Sequence, residues 1–199
     1  MVYPIPFLFV VQFLANIMRG GVFGGGVVIL YGAFAYPDIA DPATLGILRS
    51  SMAIIGIPIT FSSGYIMDTW GRKRTIVPGL ALSGSAMLFM GSTALFELSF
   101  PWFVASFIAV HAAVALVSGN LQTLGSDVAP PHARGRFFGV SRLVAQTGAL
   151  GSTSSFGLIT WWLGATVVGY TTAFAVLGGS AVIASGVVSA FIKETLRKE

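Results

Sequence analysis

Arg19 is the only Asp, Glu, Lys or Arg between Pro4 and Tyr36. It shares a helical face with Gln12 and Asn16, which precede it at i, i+4, i+7 spacing. A guanidinium and two amides on one apolar helix could hold a polar or anionic solute through charge and hydrogen bonds. His111, Ser118 and Gln122 likewise share a face of a later helix. Together the two stripes predict one water-accessible cavity whose solute-contacting residues are Gln12, Asn16, Arg19, His111, Ser118 and Gln122. The competing reading has Arg19 paired with a carbonyl or a neighbouring helix and His111 bonded between helices, with no solute involved. A cavity-facing Arg19 would favour a solute with an anionic group, or balance a carboxylate supplied from elsewhere. No Asp or Glu lies deep in an apolar run, so His111 is the one other group suited to proton or ion coupling.

Other chemistry is poorly provided for. With Cys 0 and His 2, neither a thiolate nor a histidine metal centre is expected, and no cofactor is implied. Ser83 and His111 could form the nucleophile and base of an intramembrane serine hydrolase. The serine sits in Ala81-Leu82-Ser83-Gly84, which departs from the Gly-x-Ser-Gly such a nucleophile would favour. The expectation is a protein that is not an enzyme.

The elements that must position these residues are membrane spans. Hydrophobic residues make up 55% of the 199, charged residues only 9%, and the mean hydropathy is +0.85. Soluble domains carry about 25% charged residues. Charge-free runs predict six transmembrane helices over about 5–35, 43–67, 75–96, 100–127, 136–161 and 166–192, forming one bundle over 1–199, with a tight hairpin near Trp161–Gly164. The net charge of +4 does not point to nucleic acid, because the cations fall in short gaps between these runs. Arg72, Lys73 and Arg74, then Arg134 and Arg136, then Lys193, Arg197 and Lys198 alternate with gaps holding only Asp38, Asp41 and Glu97. Basic loops face the cytoplasm, which places both termini there, in the plasma (inner) membrane. Trp70, Trp102, Trp161, Trp162 and Tyr170 fall at helix ends, as an interfacial belt requires. No cleaved signal peptide is expected, since no charged segment precedes the first apolar run.

Polar groups recur in triplets. The first, second, fourth and fifth predicted helices carry Arg19, Arg49, His111 and Arg142, while the third and sixth carry no ionisable group. That pattern suits a 3+3 repeat whose third members face lipid. Gly20, Gly21, Gly24, Gly25 and Gly26 follow Arg19 and serve either close packing, the favoured reading, or a bend. Ala145, Ala149 and Thr153 suggest a tightly packed surface on the fifth helix.

The loops add a signature. Gly64-Tyr-Ile-Met-Asp68-Thr-Trp-Gly71-Arg72-Lys73-Arg74 has one glycine suited to close helix approach, a carboxylate at a helix end, a second glycine for a turn, and cations beyond it. It resembles the G-x-x-x-D-x-x-G-R-[KR] loop of the major facilitator superfamily. Asp127-Val-Ala-Pro130-Pro-His-Ala-Arg134-Gly135, with Gly139, Gly148 and Gly151 after it, is similar to the loop joining the fourth and fifth helices of that family's C-terminal half. Lys193-Glu194-Thr195-Leu196 is similar to the tail after its last helix. Thr69 departs from the family, which often has a cation there.

The resemblance covers the whole chain and implies the C-terminal half of a twelve-helix fold, moving a small organic solute, drug or metabolite by alternating access. It implies first and fourth helices lining the cavity, second and fifth at the interface between halves, and third and sixth facing lipid. Asp68, Arg72, Asp127 and Arg134 would form a cytoplasmic network that holds one state. Gly64, Gly71, Lys73, Pro130 and Gly135 complete this gating motif. The expected partners are the bilayer, the solute, and an N-terminal six-helix half or a second copy. A membrane subunit without transport activity is the remaining alternative.

Overall fold

The computed structural model describes residues 5–23 and 26–194. These residues form seven α-helices and no strands: α1 (Ile5–Phe23), α2 (Val27–Ala35), α3 (Pro42–Trp70), α4 (Arg72–Ser92), α5 (Phe100–Val128), α6 (Arg134–Leu163) and α7 (Val167–Phe191). Five of them, α1, α3, α4, α5 and α7, are long and apolar enough to cross a membrane. The architecture is therefore all-helical and consistent with an integral membrane protein.

The first predicted helix is two helices. Gly26 takes a left-handed conformation, φ +64°, and begins α2, so the chain breaks its helical path among the glycines. Gly24 and Gly25 lie outside the described residues. Gly20 and Gly21 do the other job expected of this run. A Cβ on Gly20 would lie 2.8 Å from the Ala149 carbonyl oxygen, and one on Gly21 would meet the Leu177 side chain at 2.7 Å. Packing and bending are thus divided within one glycine run.

The fifth predicted helix forms as α6, 30 residues long, but is not among the five apolar enough to span. Arg136, Arg142, Gln146 and a series of serines and threonines lower its hydropathy. Its close contact with α1 runs through Gly148, whose Cβ would meet the Phe13 carbonyl oxygen at 2.4 Å, and Ser152, against Gly20 and Gly21. The expected stripe of Ala145, Ala149 and Thr153 is split: Ala149 packs on α1, Ala145 lines a cavity and Thr153 is exposed. The packed row is Gly148 and Ser152, the i, i+4 pair one position away, because α6 is rotated to keep its smallest residue against the α1 backbone.

α4 and α7 form the spine. They run antiparallel and touch at Gly84 and Gly178, where a Cβ on either would lie 2.6–2.7 Å from the other's carbonyl oxygen. Ser185 Oγ donates to Val77 O at 2.8 Å across the same pair, and Ser180 Oγ donates to Leu14 O at 3.1 Å toward α1. Among the long helices, α1 also packs on α5, α6 and α7, α4 on α3 and α5, α3 on α5, and α6 on α7.

Two apolar cores result. One, toward the basic loops, contains Leu8, Val11, Ile76, Leu80, Leu124 and Val188. The other, toward the opposite end, gathers Tyr31, Met87, Met90, Phe103, Phe107 and Phe174. Tyr31 anchors it. Its hydroxyl lies 2.9 Å from Thr93 Oγ1, donates to Gly91 O at 3.2 Å and accepts from Ala94 N at 2.9 Å, tying α2 to the end of α4. Tyr170 belongs to this core, its ring packed at a tilt against Tyr31, Phe34 and Phe156, and is not part of an exposed aromatic belt. Trp70, Trp102, Trp161 and Trp162 are exposed. The expected hairpin forms between α6 and α7, with Gly164 at φ +76° and Thr166 Oγ1 accepting from Gly169 N at 3.1 Å.

Candidate functional site

A cavity of about 820 Å³ lies between α1, α5 and α6, with Leu80 of α4 on its wall. α1 contributes Gln12, Asn16 and Arg19, and α5 contributes Ser118 and Gln122. Those are five of the six residues that helical spacing placed on the two stripes. Asn16 Nδ2 donates to the Gln12 carbonyl at 2.7 Å, and Ser118 Oγ donates to Val114 O at 2.6 Å, so both side chains are held by their own helix.

His111 is not on the cavity wall. It is buried, with Nδ1 3.3 Å from Phe107 O and its ring edge-on to Phe107 at 4.4 Å between centroids. Ser118 and Gln122 lie two and three turns further along α5; at the depth of His111 its ring packs on Phe107 of the same helix. Ser83, the other half of the conceivable hydrolase dyad, is fully buried and donates to Leu80 O at 2.9 Å.

The wall that sequence reasoning left out is α6. Phe138, Ser141, Arg142, Ala145 and Gln146 all line the cavity. Arg142 and Gln146 stand at i, i+4 spacing, the signal that selected Gln12 and Asn16, and they could have been found by the same rule. Among the described residues that line the cavity, none is acidic and two are arginines.

Beyond the cavity, at the basic-loop end, the helix termini are cross-linked. Arg72 pairs with Asp127 at the end of α5. Glu194, beyond α7, accepts from Arg72 N at 2.9 Å and Lys73 N at 3.1 Å, the first free N–H groups of α4. Lys73 Nζ returns the interaction by donating to Ser189 O at 2.7 Å, on the last turn of α7. Anion at a helix start and cation at a helix end both match the helix dipole.

Gly71 makes the arrangement possible twice over. Its φ is +108°, and a Cβ there would lie 2.6 Å from Glu194 Oε2. The other expected members of the network are placed differently. Asp68 and Arg134 are exposed at the ends of α3 and α6, outside the Arg72–Asp127 pair. Pro130 accepts from Ala133 N at 3.0 Å through its carbonyl, shaping the turn into α6. Gly64 and Gly135 have open space where a Cβ would stand, so neither supports a close approach within the chain. Thr195 to Glu199, including the end of the expected Glu-Thr-Leu tail, lie outside the described residues.

No protein-family model matches the chain, and no curated protein sequence matches it significantly.

Proposed function

We propose that the chain is a six-helix half of a secondary transporter of the major facilitator kind, carrying a small organic solute across the membrane by alternating access, without covalent chemistry. The observation that carries this reading is the polar cavity. Its volume of about 820 Å³ suits a drug-sized or smaller solute. Its walls are the polar faces of α1 and α5, the first and fourth helices when α1 and α2 are counted as one, together with α6, the fifth. An Arg72–Asp127–Glu194 cross-link at one end supplies an element that could hold one state.

Helix pairing supports a 3+3 repeat. Exchanging α1 for α5, α3 for α6 and α4 for α7 turns α1–α6 into α3–α5, α4–α5 into α1–α7, and α6–α7 into α3–α4, and leaves α4–α7 and α1–α5 unchanged. Every one of these pairs is in contact. The mutual approach of Gly84 and Gly178 sits where the axis relating two such triplets would pass. In this reading α6 is the fifth span, and with it the bundle has six. Its Arg142 and Gln146 line the cavity and its Ser152 packs on α1, and the exposed faces of α3 and α6 meet the partner half or a second copy.

The chain has no cysteine, so single cysteines can report access directly. Asn16→Cys and Gln122→Cys should each react with a membrane-impermeant thiol reagent in both right-side-out and inverted vesicles. Asp127→Asn should raise labelling from the basic-loop side relative to the other by on the order of fivefold, as expected for losing a half-buried ion pair. Labelling from one side only at both positions, unchanged by Asp127→Asn, would refute alternating access and favour a static membrane subunit.

A further inference from the structure

The cavity wall carries a charge asymmetry that the transport reading alone does not explain. Arg19 and Arg142 both line it, no acidic residue is among the described lining residues, and the other polar groups are the amides of Gln12, Asn16, Gln122 and Gln146 with several hydroxyls, Ser141 beside Arg142 among them. Guanidinium groups recognise carboxylate and phosphate with two parallel hydrogen bonds, and amides can complete the acceptor's remaining positions.

The two arginines stand at different depths. α1 and α6 run parallel: Phe9 contacts Phe137 at 5.5 Å between ring centroids, Gly148 lies against Phe13, and Gly20 lies against Ala149 and Ser152. On that register Arg142 lies roughly two turns nearer the basic-loop end than Arg19, on the order of 10 Å along the axes. Arg142 is exposed and Arg19 half-buried. Resting on the transporter reading above, we propose that the cavity takes a soluble organic anion, a carboxylate or phosphate ester, which Arg142 attracts near the mouth and Arg19 holds at depth. A lipid headgroup phosphate shares this chemistry, so the test must separate the two sources.

The full chain, in nanodiscs of zwitterionic phosphatidylcholine, is titrated at equilibrium with radiolabelled benzoate, succinate and glycerol 3-phosphate, and with benzamide and succinamide as neutral isosteres. At least one anion should bind saturably, with any neutral isostere at least tenfold weaker. Arg19→Gln should weaken that binding at least tenfold. Arg142→Gln, at an exposed position and therefore safe for folding, should weaken it about threefold, chiefly by slowing association. The proposal fails if none of the three anions binds saturably, if neutral isosteres bind as well, or if neither variant alters binding. It also fails if nanodiscs of anionic phosphatidylglycerol abolish binding by competition, which would make a lipid headgroup the occupant. Because no transport step is measured, such a failure is distinguishable from failure of the cysteine-access experiment.

Discussion

Glu194→Ala removes one carboxylate and should release the start of a helix more than 120 residues away in sequence. Two N–H groups lose their acceptor, Arg72 N and Lys73 N, now at 2.9 and 3.1 Å. Hydrogen bonds to a charged group contribute about 1.5–3 kcal/mol each when shielded, and helix caps at exposed positions about 0.5–2 kcal/mol. Glu194 is exposed, so the lower scale applies and the two bonds together amount to about 1.5 kcal/mol. That corresponds to roughly a tenfold larger open population at the start of α4. Hydrogen exchange of the segment containing Arg72 and Lys73 should accelerate by about that factor, while the Gly84 region of α4 stays protected. Gly71→Ala supplies the second side of a double-mutant cycle. With Glu194 present, the new Cβ suffers both the positive φ and the clash with Oε2; with Glu194→Ala, only the backbone strain of about 1–3 kcal/mol remains. The two substitutions should therefore be less than additive. Unchanged exchange in Glu194→Ala, or strict additivity in the cycle, would show that the carboxylate does not hold this helix end.

Gly84→Ala places a methyl 2.6 Å from the Gly178 carbonyl oxygen, and backbone on both sides prevents relief, so unfolding in mixed micelles should show a loss of about 1–3 kcal/mol. Gly179→Ala, where a Cβ meets nothing within 4 Å, should be neutral or slightly stabilising in the same assay. Tyr31→Phe leaves the Ala94 N–H without its acceptor and should cost about 1–3 kcal/mol, more than Tyr36→Phe, which loses a single bond to Leu98 O at 2.9 Å. Asp41 caps α3; hydrogen bonds from the Thr44 side chain and from Thr44 N at 2.7 Å hold its carboxyl below the usual carboxylate value. A depressed folded value means the cap's contribution is present above the unfolded value, about 3.9, and is lost as pH falls through the folded one. Thermal unfolding of wild type should lose this contribution below about pH 4, and Asp41→Ala should lack that component of the acid dependence.

Helix limits were legible because charge-free runs end at Asp68, Glu97, Asp127 and Lys193, and the structure's helices end within a few residues of those limits. The division of the first span was harder to read. Glycines that pack and glycines that bend look alike in sequence, and only a neighbour such as Ala149 beside Gly20, or a positive φ at Gly26, tells them apart. Periodicity brought Gln12, Asn16, Arg19, Ser118 and Gln122 to one cavity, since helical spacing fixes direction around an axis. It does not fix depth, and His111 on the same face of α5 meets Phe107 instead of open space. The Glu194 cross-link was illegible for a different reason: no local pattern connects a carboxylate after α7 to amides before α4, and only the antiparallel packing of those helices brings them together.

The same antiparallel pair decides where this molecule can move. α4 and α7 are locked at mid-length by glycine-to-backbone contact at 2.6–2.7 Å and at one end by Glu194 and Lys73, each acting on the other helix's terminus. A pair with no flexible side chain at its central contact cannot slide without first separating, so it behaves as one rigid unit. The cavity is built differently. Its three walls belong to α1, α5 and α6, and α1 ends where the helical path breaks before α2. α2 in turn is fastened to the far end of α4 by Tyr31. Motion of α1 relative to the spine would therefore be accommodated at Gly26, whose left-handed φ of +64° stands at the start of α2. If that hinge operates, Gly26→Ala, which penalises the left-handed conformation by about 1–2 kcal/mol, should alter two-sided labelling of Asn16→Cys while leaving the α4–α7 contact and its hydrogen-exchange protection unchanged. Equal loss of protection in α4 and α7 would mean that the break is part of the rigid unit and that the cavity wall moves elsewhere.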